Sequence, residues 1–121
     1  MPVRVLIADD SPIMRKAVRD VLSGQSGIEI VGEACSVREM IQMRDEFVPD
    51  IVIMDLYMAE DSRMSADELN SSASYLLAIS ASDAEEGSQK AKELGASAFL
   101  DKLWLHTTLI PKIFELCQTN G

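Results

Sequence analysis

The chain has 121 residues, 47% of them hydrophobic and 26% charged, with a formal net charge of −9. That length suits one domain over residues 1–121 with an ordinary core, and no apolar run approaches the ~18 residues of a membrane span. The acidic balance disfavours direct nucleic-acid or membrane-surface binding. The start, Met1-Pro2-Val3, has no secretory-signal pattern, so the expected location is cytoplasmic. Cys35 and Cys117 belong to no CxxC or Cys/His cluster and read as buried thiols, with neither zinc nor a disulfide required.

In chain order, apolar runs alternate with amphipathic ones. Val3 to Ala8 is strand-like and ends on the acids Asp9 and Asp10. Ser11-Pro12 then places a capping hydroxyl before a first-turn proline, and Ile13, Met14, Ala17, Val18, Val21 and Leu22 recur at helical spacing. Ile28 to Ala34 is a second strand, followed by the capping box Ser36-x-x-Glu39. Ile51 to Met54 is a third, closing on Asp55, and Ser65-x-x-Glu68 offers a weaker capping box. Tyr75 to Ile79 forms a fourth strand ending at Ser80. A helix over Asp83 to Leu94 has Gly95 as its C-cap. Ala96 to Leu100 is the fifth strand, ending near Lys102. The last helix is expected to begin near Thr107 or Thr108, because Pro111 suits only a first turn.

The strand runs are short, rich in Val, Ile and Leu, and mostly without alternation, as in strands covered on both faces. Five alternations of strand and helix predict an α/β, doubly wound parallel sheet, with ligands at the C-terminal strand ends. Asp9, Asp10, Asp55, Ser80 and Lys102 all lie at such ends. Three converging carboxylates repel unless a hard cation such as Mg²⁺ joins them. With a lysine and a hydroxyl added, the pocket suits a phosphoryl group, and a carboxylate there can serve as nucleophile. Taken singly, each residue has a plainer reading: the acids as helix caps, Ser80 as a turn residue, Lys102 as a surface lysine.

Four segments, VLIADDSPIMR, VPDIVIMDLYM around Asp55, YLLAISAS around Ser80 and KELGASAFLDK leading to Lys102, resemble the receiver domains of bacterial response regulators. The resemblance covers nearly the whole chain. It implies a CheY-like, flavodoxin-like fold with strand order 2-1-3-4-5. It also implies phosphorelay signalling, in which Asp55 accepts a phosphoryl group from a phosphohistidine. By the same resemblance, Asp10, Asp55 and the backbone carbonyl of Tyr57 would bind Mg²⁺, and Asp9 would act through a water. Lys102 would pair with Asp55 and then with a phosphoryl oxygen, Ser80 would swing toward that group, and Phe99 would turn inward. Tyr57 and Ser82 would tune hydrolysis of the acyl phosphate. Implied partners are a sensor histidine kinase or phosphotransfer protein and an output protein or C-terminal output domain, with a DNA-binding one suggested by VRVLIADDSP and IEIVGEA. The domain is then no enzyme beyond its own phosphorylation and dephosphorylation. The last helix reads first as packing on the sheet and second as a homodimer contact.

Two stretches depart from the family pattern. Ala59 to Ser74 lacks the usual Met-Pro and glycine and is about five residues short, more than one helical turn, so a short or irregular third helix is expected. Leu103 stands where many receivers have proline. An aspartate-dependent phosphohydrolase would place its acids as Asp-x-Asp, and a flavin carrier would need a phosphate loop where ADDSP stands. The stronger alternative is a degenerate receiver that binds proteins without being phosphorylated.

Overall fold

The computed structural model describes residues 2–61, 65–81 and 84–118. The apolar runs become the inner strands β1 (Val3–Ala8), β3 (Ile51–Asp55) and β4 (Tyr75–Ser80), almost wholly buried. The flanking strands β2 (Ile28–Ala34) and β5 (Ala98–Asp101) are more exposed. All neighbours pair parallel in the order β2-β1-β3-β4-β5, which is the expected flavodoxin-like sheet. Between them run α1 (Pro12–Leu22), α2 (Val37–Phe47), α3 (Leu56–Asp61), α4 (Ala66–Leu69), α5 (Ala84–Glu93) and α6 (Leu105–Leu116).

Successive strand residues serve opposite faces. Val5, Ile7, Ile51, Ile53, Leu77 and Ile79 meet Val18 and Leu22 of α1 and Leu105, Leu109 and Ile113 of α6. Leu6, Ala8, Val52, Met54 and Leu76 meet Val37 and Met40 of α2, Met58 of α3 and Leu69 of α4. Ala78 packs with Leu56 and with Ala91 of α5. Each fully buried Leu or Ile contributes about 1.5–3 kcal/mol, so these two faces hold the strand ends in place.

Several local expectations are corrected. Ile13 and Ala17 are exposed, because the core stripe of α1 runs through Val18, Val21 and Leu22. Cys35 is exposed and Cys117 half-buried, both as free thiols. β5 begins at Ala98 rather than Ala96, because the Ala96 N–H is spent closing the end of α5 on Ala91 O (2.9 Å), with Gly95 at φ +77. α6 begins at Leu105, leaving Pro111 inside the helix. A short 3₁₀ turn over Lys102–Trp104 leads directly into it, and the hydroxyls of Thr107 and Thr108 donate to Trp104 O (3.1 and 2.8 Å). Burial of Leu105, Leu109 and Ile113 outweighs the ~3 kcal/mol that an interior proline costs.

The irregular third helix is present as two short pieces, α3 and α4. The Ser65 box closes both ways, with Glu68 N–H to Ser65 Oγ at 3.1 Å and Ser65 N–H to Glu68 Oε1 at 3.4 Å. The Ser36 box differs: Ser36 Oγ caps Glu39 N–H, but Glu39 Oε1 takes the N–H of Cys35. Leu69 is buried while Ala73 is exposed; Met64, Ser82 and Asp83 lie outside the described residues.

Candidate functional site

In the parallel register Ala8 stands beside Met54, so the next residues, Asp9 and Asp55, leave the sheet as neighbours. Both are buried, at 1% and 4% exposure. Each uses one carboxylate oxygen locally. Asp9 Oδ1 accepts from Ser11 N–H (2.9 Å), and Asp55 Oδ2 accepts from Met58 N–H (3.2 Å), capping α3. The plain cap reading and the converging reading therefore hold together. The other oxygens, Asp9 Oδ2 and Asp55 Oδ1, face Lys102 Nζ at 3.1 and 3.0 Å. Among the described residues, this ammonium is the group that faces them. The ammonium holds both by proximity of charge, with lone pairs left over.

The electrostatics follow from burial. Loss of water raises the Asp55 pKa above its ordinary 3.8, Lys102 opposes this, and the Asp9 charge adds to it. For Lys102, burial alone would lower the pKa, but Asp55 and Asp9 together outweigh it and raise it above 10.5. The lysine therefore stays an ammonium at neutral pH.

Ser80 is fully buried at the end of β4, in register with Asp101, the residue before Lys102. Phe99 pairs with Ala78 on β5 and is partly buried against Leu56, Ala78 and Ala91. Tyr57 is exposed, and its ring lies under Lys90 Nζ, 5.8 Å away. Tyr57 lies in the first turn of α3, which starts at Leu56. Trp104, on the 3₁₀ turn beyond Lys102, is exposed and stacked on His106 with ring centroids 6.5 Å apart.

Three residues enter that the sequence reading passed over. Arg15 Nη1 donates to the Asp9 carbonyl at 2.8 Å. Arg44, itself buried, donates to Leu69 O (2.9 Å) and Ser71 Oγ (2.8 Å), tying α4 to α2. Its signal was an arginine in register with Val37 and Met40 on an apolar stripe. Gly87 lies inside α5, where an added Cβ would stand 2.5 Å from Phe99 Cζ. A glycine within a helical pattern was the clue to it.

One oxygen from each of Asp9, Asp10 and Asp55 lies within 4.8 Å of the others. Three hard carboxylate oxygens at such spacing suit Mg²⁺, whose octahedral shell spaces its ligands by about 3–4 Å. The donor set fits the ion.

The chain matches the response regulator receiver domain model over residues 5–114. It is 37% identical to a protein-glutamate methylesterase/protein-glutamine glutaminase of Methanosarcina acetivorans, covering 98% of this chain and 37% of that protein. It is 34% identical to the transcriptional regulatory protein PdtaR of Mycobacterium tuberculosis, covering 93% of this chain and 56% of that one. The chain therefore spans only about a third to a half of these relatives. The signal receiver domain of NarL from Mycobacterium tuberculosis superposes with a TM-score of 0.84 at 26% identity, over 98% of each chain. No helix among the described residues is long and apolar enough to cross a membrane. By sequence and by fold, this chain belongs to the response regulator receiver domain family.

Proposed function

We propose that the domain takes a phosphoryl group onto Asp55 from a phosphohistidine of a sensor histidine kinase or phosphotransfer protein, and passes the change to an output partner. The observation that carries this is the buried pair of carboxylate oxygens, Asp9 Oδ2 and Asp55 Oδ1, held beside the one ammonium of Lys102. An Asp55 oxygen attacks phosphorus, the P–O bond forms as the P–N bond breaks, and the histidine leaves as imidazole. Lys102 shifts from Asp55 to a phosphoryl oxygen, and the Ser80 hydroxyl donates to another.

Asp10, Asp55 and the Tyr57 carbonyl would hold Mg²⁺ directly, and Asp9 would act through a water. The ion supplies charge neutralisation at the phosphoryl oxygens. Phe99 moving inward is the readout, while exposed Tyr57, together with Ser82, governs access of water to the acyl phosphate. Ile13, shortly after the acids in the chain, and Leu103 and Trp104, directly after Lys102, are exposed and offer apolar side chains to a partner. This reading places the domain in the cytoplasm, with an output function in a fused or separate partner, transcriptional or enzymatic as the relatives' names suggest.

The divided α3–α4 stretch favours a second reading, a receiver that binds proteins without phosphorylation. Incubation with Mg²⁺ and a small phosphodonor, followed by intact-mass measurement, tests the two. Wild type should gain one phosphoryl mass and Asp55→Asn none; no gain in either favours the binding-only module.

A further inference from the structure

We propose that Arg15 is a positioning residue for the acid cluster, holding the peptide between Asp9 and Asp10 so that both carboxylates face one divalent cation. This rests on the reading of the cluster as a Mg²⁺ site and deepens it. The oxygen that Arg15 Nη1 contacts at 2.8 Å is the carbonyl of Asp9. It belongs to the planar unit that joins Asp9 to Asp10. Fixing that plane fixes the direction in which Asp10 leaves Asp9.

The same turn is pinned from its other sides. Asp9 N–H donates to Ala34 O at 3.0 Å, and Asp9 Oδ1 accepts from Ser11 N–H at 2.9 Å. Arg15 is braced in turn. Its Nε lies 3.7 Å from Glu33 Oε1, and Arg19 Nη1 donates to both oxygens of Glu33 at 3.1 and 3.0 Å. A half-buried guanidinium held between an edge-strand carboxylate and a loop carbonyl has little freedom, so it transmits the position of β2 to the acids.

Simple charge predicts the opposite of positioning. A guanidinium beside three carboxylates repels Mg²⁺, so deleting it should tighten binding. If Arg15 orients the acids, deleting it should weaken binding. The sign of the change separates the two.

The test is calorimetric titration of Mg²⁺ into the full chain for wild type, Arg15→Gln, Arg15→Lys and Arg19→Gln. Loss of an outer-shell partner typically costs 10–100-fold in metal affinity, so R15Q should bind about tenfold more weakly. R15K keeps the charge and a donor but loses the brace, and should be about threefold weaker. R19Q removes the same charge and a Glu33 contact without touching Asp9, and should stay within about twofold of wild type. Equal or tighter binding by R15Q, or an equal loss in R19Q, overturns the proposal. Should R15Q not fold, R15K decides: at constant charge, affinity equal to wild type overturns it. A wild type that takes up no Mg²⁺ overturns the metal-site reading and this proposal together, whereas binding by wild type with an unaffected R15Q overturns this proposal alone.

Discussion

Lys102 Nζ lies 3.0 Å from Asp55 Oδ1, and the same ammonium lies 3.1 Å from Asp9 Oδ2, so one cation separates two buried anions. Removing one partner of such a group strands the remaining charge, at a cost of roughly 3–5 kcal/mol. Lys102→Met should therefore lower the melting temperature markedly at neutral pH in the absence of divalent ions. Mg²⁺ should restore part of the loss by supplying the missing positive charge. A melting temperature equal to that of wild type without Mg²⁺ would contradict this account.

Asp55 makes stability depend on pH in an unusual direction. Its folded-state pKa is raised, first by burial, so the folded chain holds the proton more tightly than the unfolded chain. This group's contribution therefore falls as pH rises from the unfolded value of 3.8 through the raised folded value. Asp55→Asn lacks that penalty. Without Mg²⁺, the variant should melt above wild type at neutral pH, and the gap should close as pH falls toward 4. Melting curves of the two proteins from acid to neutral pH give the difference directly; a gap that widens in acid would refute the assignment. Lys102 acts at the other end: its raised pKa gives stability that is present below 10.5 and lost above it.

Gly87 and Phe99 oppose a simple helix-propensity argument. Alanine should improve α5 by about 0.8–1.0 kcal/mol. Its Cβ would, however, meet Phe99 Cζ at 2.5 Å and Cε1 at 2.8 Å. Overpacking of this kind costs about 1–3 kcal/mol, so Gly87→Ala should be net destabilising. In a Phe99→Leu background the sign should reverse. Chemical denaturation of the four proteins of this cycle measures both.

Arg44 of α2 holds the C-terminal end of α4 by hydrogen bonds. Its guanidinium meets Leu69 O and Glu68 O at 2.9 and 3.3 Å, at the C-terminal end of α4. Arg44→Met keeps the apolar stem and loses these bonds, at a cost of about 2–3 kcal/mol. Amide exchange should accelerate over residues 66–71 while the sheet stays protected. Uniform acceleration across the chain would show that α4 is not a separate unit.

Val48 ends α2 at φ 47, ψ 62, a left-handed conformation unfavourable for a β-branched residue. It is held there by Arg4, whose Nη1 donates to Phe47 O and Val48 O at 2.6 and 2.9 Å. Since Val48 is 64% exposed, little burial is lost on substitution. Val48→Asn should stabilise by about 1 kcal/mol, seen as a rise of a few degrees in melting temperature.

Much of the site was legible because its acids and lysine terminate strands whose apolar composition is local and unambiguous. Asp9, Asp55 and Lys102 need only a parallel sheet to converge, and the alternation of strand and helix demands one. Reading failed where long-range packing overrode a local rule. Pro111 sits inside α6 because three buried residues outweigh its cost. Ile13 belongs to no core, and in one place a local bond decided instead, the Ala96 N–H closing the end of α5 on Ala91 O rather than joining a strand.

The amino-acid pattern by itself determined the fold, the strand ends and the identity of the converging side chains, since periodicity and chain reversal are set by nearest neighbours along the chain. Only the tertiary structure decided what orients them. The Arg15 contact to Asp9 O, the Arg44 tie to α4 and the Phe99 ring against Gly87 all depend on packing. Such contacts depend on side-chain directions and sub-ångström fit between distant segments, and neither composition nor spacing encodes those locally.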